Sequence, residues 1–377
     1  GTACAEIAYD MAPDATVYLY AFDTEVEFGN AVTDYNAVSG KKTATMSIGW
    51  WNAGPYDGSG PINSIVDTSA TTYSVLWAVS AGNDQKVHHS WTSAQYSGGD
   101  YVQIGTNEFQ EYGLTDETSF WVFQSGTVDA YLEWNDWNAA RDGNQNRIDY
   151  DMRLYRSRNS ETWTQVATSL GNQCGNSGLE PVEALSYAVP TSGVLSCAGG
   201  NTCRFRLSIE RWPCTGYPNN FGHWMTLFTS RGVWQSGQGD VPTFSAYNVC
   251  NSLSIPADSS GVMATGATFW GEDGNATYTY GLETFSSLGP RNASGGGNPG
   301  AAVNKPDVVA PDGVSTVSYG ASNSTAYRNS GAGFWGTSAS APHVAGMAAA
   351  VWEIDPSAPM STVRAYIQSQ ALYKADG

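Results

Sequence analysis

The stretch Gly336–Gly346 reads GTSASAPHVAG and constrains the fold more than any other part of the chain. It leads straight into the small, apolar run GMAAAVW (346–352). Gly336 permits backbone angles closed to other residues. Ala339, Ser340, Ala341, Ala345 and Gly346 would let a helix lie close against its neighbours. The expectation is a tight turn that delivers Ser338 to the first turn of a buried helix over 338–354. Pro342 is expected where the first helical N–H groups lack intrahelical partners. A serine hydroxyl at such a helix tip meets a positive dipole end and free N–H groups, which suit a developing oxyanion.

A buried helix needs a sheet to cover, and the flanking sequence supplies candidates. GTACAEIAYDMA (1–12) has helical spacing, and TVYLYAF (16–22) reads as a strand. EFGNAVTDYNAV (27–38) reads as a helix and TATMSIGWW (43–51) as a buried strand. SIVDTSATTY (64–73) reads as helical, and SVLWAVSAGN (74–83) as another buried strand. SGVMATGA (259–266) and VNKPDVVAPD (303–312) read as further buried strands. Ser361 should cap a last helix that runs to about Leu372. Strands alternating with helices predict an α/β fold with a mostly parallel sheet.

The pattern changes in the middle. From Tyr101 to Val233, YVQIG, SFWVF, VDAYLEW, DYDMRLYR, TWTQVAT, RFRLSIER and HWMTLFT read as strands, many with period-two alternation. This is expected to be an all-β sandwich, jelly-roll-like, inserted into the α/β fold. The expected boundaries are 1–97 and 237–377 for the α/β domain and 98–236 for the insert.

The 377 residues carry 35 acidic and 17 basic side chains, a formal net charge of -18. Phosphate binding needs clustered Lys and Arg, so nucleic acid is excluded as a partner. No apolar run reaches the ~18 residues of a membrane span. An acidic chain with few lysines suits an extracellular, secreted or cell-surface protein, although solubility alone also explains the charge. Cys174, Cys197, Cys203 and Cys214 cluster among turn residues, as in disulfide-bonded proteins of oxidising compartments. Cys197–Cys203 with Cys174–Cys214 is the first choice of pairing. Cys4 and Cys250 are left to pair or to stay free.

The serine stretch resembles the subtilisin-like serine proteases, or subtilases, whose nucleophile motif is G-T-S-x-x-x-P followed by H-V-A-G. Further stretches match in order: GTACAEI (1–7), TMSIGW (45–50), SAGN (80–83), FSSLGPR (285–291) and KPDVVAP (305–311). The resemblance covers about 1–97 and 240–377. It implies a three-layer α/β sandwich and a secreted serine endopeptidase that acts on protein or peptide substrates. Ser338 would be the nucleophile, and the Asn83 amide with the Ser338 N–H would hold the oxyanion. Substrate would lie extended along Ser47, Ile48 and Gly49, near Ser80 and Gly82, bonded through its main chain. No cofactor is required for the chemistry. In the family, H-G-T-x-x-A places the catalytic histidine directly before the residue that matches Gly1, with the catalytic Asp further upstream. The 377 residues alone are therefore expected to be nearly inactive.

The histidines present, His88, His89, His223 and His343, are read as structural. His343 lies five residues after Ser338 on the same helix and should point away from the hydroxyl. Cys4 matches the H-G-T-x-C of thiol-containing subtilases; a small buried core residue or half of a disulfide is the other reading. The related sedolisins share GTSAS but need Asp where this chain has Cys4 and Asn83. A G-x-S-x-G elbow of the α/β-hydrolases is absent. A non-catalytic secreted binding protein on a degenerate subtilase scaffold remains as the alternative.

In the insert, DGNQNRIDYD places oxygen ligands at Asp142, Asn144, Asn146, Asp149 and Asp151. Such a set suits a structural calcium ion, and a polar hairpin turn reads equally well. The aromatic residues of WNDW (134–137) offer a surface for protein or carbohydrate if exposed; core packing is the favoured role.

Overall fold

The computed structural model describes residues 1–85, 87–92, 101–104, 107–112, 121–123, 126–137, 148–159, 161–174, 179–199, 201, 203–213, 224–229, 250–270, 281–297, 304–320 and 333–371. Along the chain, α1 spans Thr2–Met11, α2 Glu25–Asn36, β1 Lys42–Met46, α3 Pro61–Tyr73 and β2 Val75–Ser80. A run of strands follows: β3 His88–Thr92, β4 Tyr101–Ile104, β5 Asn107–Tyr112, β6 Trp121–Phe123, β7 Thr127–Trp134, β8 Ile148–Arg158, β9 Thr164–Ser169, β10 Val182–Ala188, β11 Cys203–Pro213 and β12 Trp224–Thr229. The chain then forms β13 Val262–Phe269, β14 Val308–Asp312, α4 Thr337–Ile354 and α5 Met360–Gln370. It divides into two compact units, one of residues 1–85, 250–291 and 301–377, the other of 86–249 and 292–300.

The first unit is built on a parallel sheet in the order β1-β2-β13-β14. VLWAVS of β2 is buried at every position, as a strand covered on both faces requires. Leu76 and Ala78 face α4 and α5 and share a core with Met263, Val344, Ala348, Trp352 and Ile367. Trp77 points the other way. Its Nε1 donates to Ser69 Oγ of α3 at 3.0 Å, and its ring meets Phe28 of α2 at 6.3 Å. Local sequence starts these helices a little before the expected residues 27 and 64: Thr24 and Glu27 form a capping box on α2, and Pro61 opens α3. A buried ion pair ties α5 to the sheet. Lys305 Nζ lies 2.6 Å from Asp307, and Asp307 also accepts from Arg364 at 2.9 Å.

Three expectations fail here. Residues 16–22 form no strand. β1 pairs with β2 alone among the described strands, and a cavity of about 290 Å³ separates its outer edge from the 15–20 segment. With no neighbour to bond, that backbone forms no ladder, and Val17 to Tyr20 stay exposed. Pro342 stands inside α4, beyond the first turn, because the helix begins at Thr337 with Gly336 as its N-cap. Ser361 is not the cap of α5; Pro359 holds that position with extended backbone and no side-chain bond.

The second unit contains two antiparallel sheets, in the orders β10-β7-β12-β3 and β4-β5-β11-β8-β9, with β6 paired to β11. Val128, Ala130, Leu132 and Trp134 of β7 share one core with Tyr150, Met152 and Leu154 of β8 and Phe205, Leu207 and Ile209 of β11. The every-second-residue spacing is the period of a strand with one face buried. Trp134 and Trp137 are each 1 % exposed, so neither offers a surface platform. Cys197 and Cys203 form a disulfide, and Cys174 is also disulfide-bonded; Cys214 lies outside the described residues. Cys4 and Cys250 are free thiols. Among the described residues no helix is long and apolar enough to cross a membrane.

Candidate active site

The turn into α4 is held from two sides. At the end of β14, Asp312 accepts the Gly336 N–H at 2.9 Å. From the turn after β2, Asn83 Oδ1 accepts the Thr337 N–H at 2.9 Å and the Thr337 hydroxyl at 3.0 Å. Because Oδ1 takes both donors, the other end of the amide must be the NH₂ group. It lies beside Gly336, where an added Cβ would be 3.0 Å from Asn83 Nδ2. Gly336 also has φ 101°. Glycine is thus required there both for its backbone angle and for room for the asparagine.

Ser338 follows, half-buried on the first turn of α4. Pro342 has no N–H, so the Ser338 carbonyl loses its i+4 partner within the helix. Ser47 supplies the replacement: its hydroxyl donates to the Ser338 carbonyl at 2.9 Å. The Cys4 thiol lies 3.5 Å from both the Ser338 carbonyl and Ser47 Oγ. Sequence reading took Pro342 as merely tolerated and missed the bond it makes necessary.

Beyond Ser47, Ile48 is 48 % exposed, and the backbone of Trp50 exchanges two hydrogen bonds with Ile255. Gly49 backs onto Ser254, whose Oγ would be 2.6 Å from an added Cβ. Gly82, at φ 108°, would bring a Cβ within 2.8 Å of Ser287 Oγ and 3.3 Å of Ser254 Oγ. Ser254 therefore lies between the two glycine segments, and sequence reading did not single it out. Ser80 is buried at the end of β2, paired in register with Thr265. Ser338, Asn83, Ser47, Gly49 and Gly82 are thus linked through Thr337 and Ser254.

The described histidines are placed elsewhere. Nδ1 of His343 lies 2.8 Å from the Ala339 carbonyl on its own helix, and burial lowers its pKa. His88 and His89 are buried on β3, His88 against the Phe228 ring at 4.8 Å. His223 lies outside the described residues.

Of the expected metal ligands, Asp142, Asn144 and Asn146 lie outside the described residues. Asp149 and Asp151 stand on β8 itself, rather than in a loop. One ligand oxygen from each, together with one from Glu183 of β10, lies within 4.8 Å of the others. Burial, with the charges of Asp151 and Glu183, pushes the Asp149 carboxyl up to about 7. Nothing in the sequence pointed to Glu183, since β10 was not expected and lies more than thirty residues from Asp149.

No curated protein matched the chain. The family profile that does match is that of the subtilases, and it spans residues 1–377. A match over that length, and not over the serine turn alone, means that the chain belongs to the subtilase family.

Proposed function

We propose that this subtilase is a secreted serine endopeptidase with Ser338 as its nucleophile. The observation that carries this is the Asn83 amide. Two bonds from Thr337 fix its oxygen, which leaves its NH₂ turned to the turn that bears Ser338. Such a donor needs no rearrangement when charge develops on a scissile carbonyl, and one donor of this kind is worth about 3 kcal/mol of barrier. The free N–H of Ser338, on the first turn of α4, would be the second donor.

Substrate would lie extended along Ser47, Ile48 and Gly49 and hydrogen-bond through its main chain. Ser338 needs a base to remove its proton, normally an imidazole oriented by a carboxylate. We assign that base to the histidine of the H-G-T pattern that Gly1 and Thr2 continue, since His88, His89 and His343 are engaged as described. We further infer that the second unit is a β-sandwich inserted between the Asn83 turn and the Ser338 helix.

The test is labelling by a fluorophosphonate of the protein expressed with its native upstream region. Adduct on Ser338, abolished in Ser338→Ala, is the expected result. A folded protein that hydrolyses no casein and takes no label would instead support a binding protein on a degenerate scaffold.

A further inference from the structure

The carboxylates of Asp149, Asp151 and Glu183 form a buried group with no part in the chemistry above. They are 6 %, 8 % and 4 % exposed. Their alternation on β8 puts Asp149 and Asp151 on one side of that strand, and Glu183 comes from β10 of the other sheet. The basic residue beside them on β8, Arg153, is committed to Glu210 at 2.9 Å.

Gln173 adds an independent observation. It is 6 % exposed, and both of its ends enter the group. Its backbone N–H donates to Asp149 at 3.3 Å, and its Nε2 donates to Glu183 Oε1 at 2.9 Å and to the Val182 carbonyl at 3.0 Å. Those two acceptors fix which end of the amide is nitrogen. The remaining oxygen, Oε1, is buried without a hydrogen-bond partner. A buried carbonyl left unpaired beside three acids is costly unless something positive meets it.

We propose that Asp149, Asp151, Glu183 and the Gln173 Oε1 oxygen hold a calcium ion that clips the two sheets of the second unit together. An all-oxygen donor set selects a hard cation over zinc or copper. Oxygens on opposite sides of one calcium are about 5 Å apart, twice the usual ligand distance, which accommodates the 4.8 Å limit of this group. Magnesium holds several of its waters, and a site this enclosed leaves little room for them. The ligands differ from those expected of the 142–151 loop. They come from β8, from β10 and from the segment between β9 and β10, so the ion would join elements distant in sequence.

The experiment is thermal unfolding of the whole chain in EDTA and against calcium, with terbium luminescence as a direct probe of binding. Calcium at a hundredfold excess over its Kd should raise the melting temperature of the second unit by about 5 °C or more, and magnesium should do less. Calcium should also quench the terbium signal. Asp151→Asn and Glu183→Gln keep shape while removing charge, so they should fold in EDTA and lose both effects. The proposal is overturned if calcium moves neither melting nor terbium signal, or if both responses survive in both variants.

Discussion

At the residue scale, the proposed function gives Asn83 a second task beside its bonds to Thr337, and substitution separates the two. Asn83→Asp keeps an oxygen for the Thr337 donors but lacks the NH₂ group; Asn83→Ala loses both. Asn83→Asp should melt near the parent while its kcat at neutral pH falls about 10²–10³-fold. Asn83→Ala should fall as far in kcat and also lose about 1 kcal/mol of stability. Steady-state kinetics with paired melting curves would show it, and equal kcat in all three proteins would remove Asn83 from the oxyanion site. Ser47 and Pro342 make a second pair. Ser47→Ala should cost about 1 kcal/mol in the parent. It should cost less in Pro342→Ala, where residue 342 regains an N–H for the Ser338 carbonyl. A double-mutant cycle in urea measures that coupling. The serine turn was legible in sequence because a glycine, a threonine and a serine are contiguous. The Ser47 bond was not, because it joins residues 291 positions apart through a proline that local reading only excuses.

At the element scale, α1 and α4 approach closely at Gly346, where an added Cβ would lie 2.5 Å from Met11 Cβ. Overpacking costs about 1–3 kcal/mol, and alanine recovers about 1 kcal/mol of helix propensity. Gly346→Ala should therefore destabilise the first unit by about 1 kcal/mol net, read as a lower urea midpoint. Helix and strand identity in this unit was legible, since continuous apolar runs such as VLWAVS leave few alternatives. The failure at 16–22 shows the limit of such reading. β-branched and aromatic composition describes what suits a strand, but the ladder depends on a neighbour that local sequence does not contain. In the second unit β10 escaped notice for a related reason. Its Glu183 places a charge on a buried position and breaks the alternation that would have marked the strand.

For the whole molecule, two buried groups, His89 and Asp258, should make pH contributions of opposite sign, and in the second unit the raised Asp149 carboxyl opposes that of His89. His89 of the second unit is held near 4 by burial, below its ordinary 6.5. The unfolded chain then binds the extra proton between those values, so stability falls as pH drops from 6.5 toward 4. In the first unit, burial raises Asp258 to about 6 despite bonds from Gly58 and Asn63. There the folded state holds the extra proton, so stability falls as pH rises from 3.8 through 6. Each contributes up to about 3 kcal/mol. Calorimetry from pH 4 to 7 should show each contribution as the difference in slope between parent and variant, His89→Gln removing one and Asp258→Asn the other. An unchanged slope in either variant would count against that assignment.

The proline in α4 has a mechanical consequence. A helix that completes its own bonding can slide or roll by small amounts against the strand beneath it. Here one rung is missing, and the end of β1 supplies it. A shift of the serine along the helix axis therefore either carries Ser47 with it or gives up that hydrogen bond. The surface on which a bound peptide would rest and the group that would attack it are thus geared to move together while that bond holds.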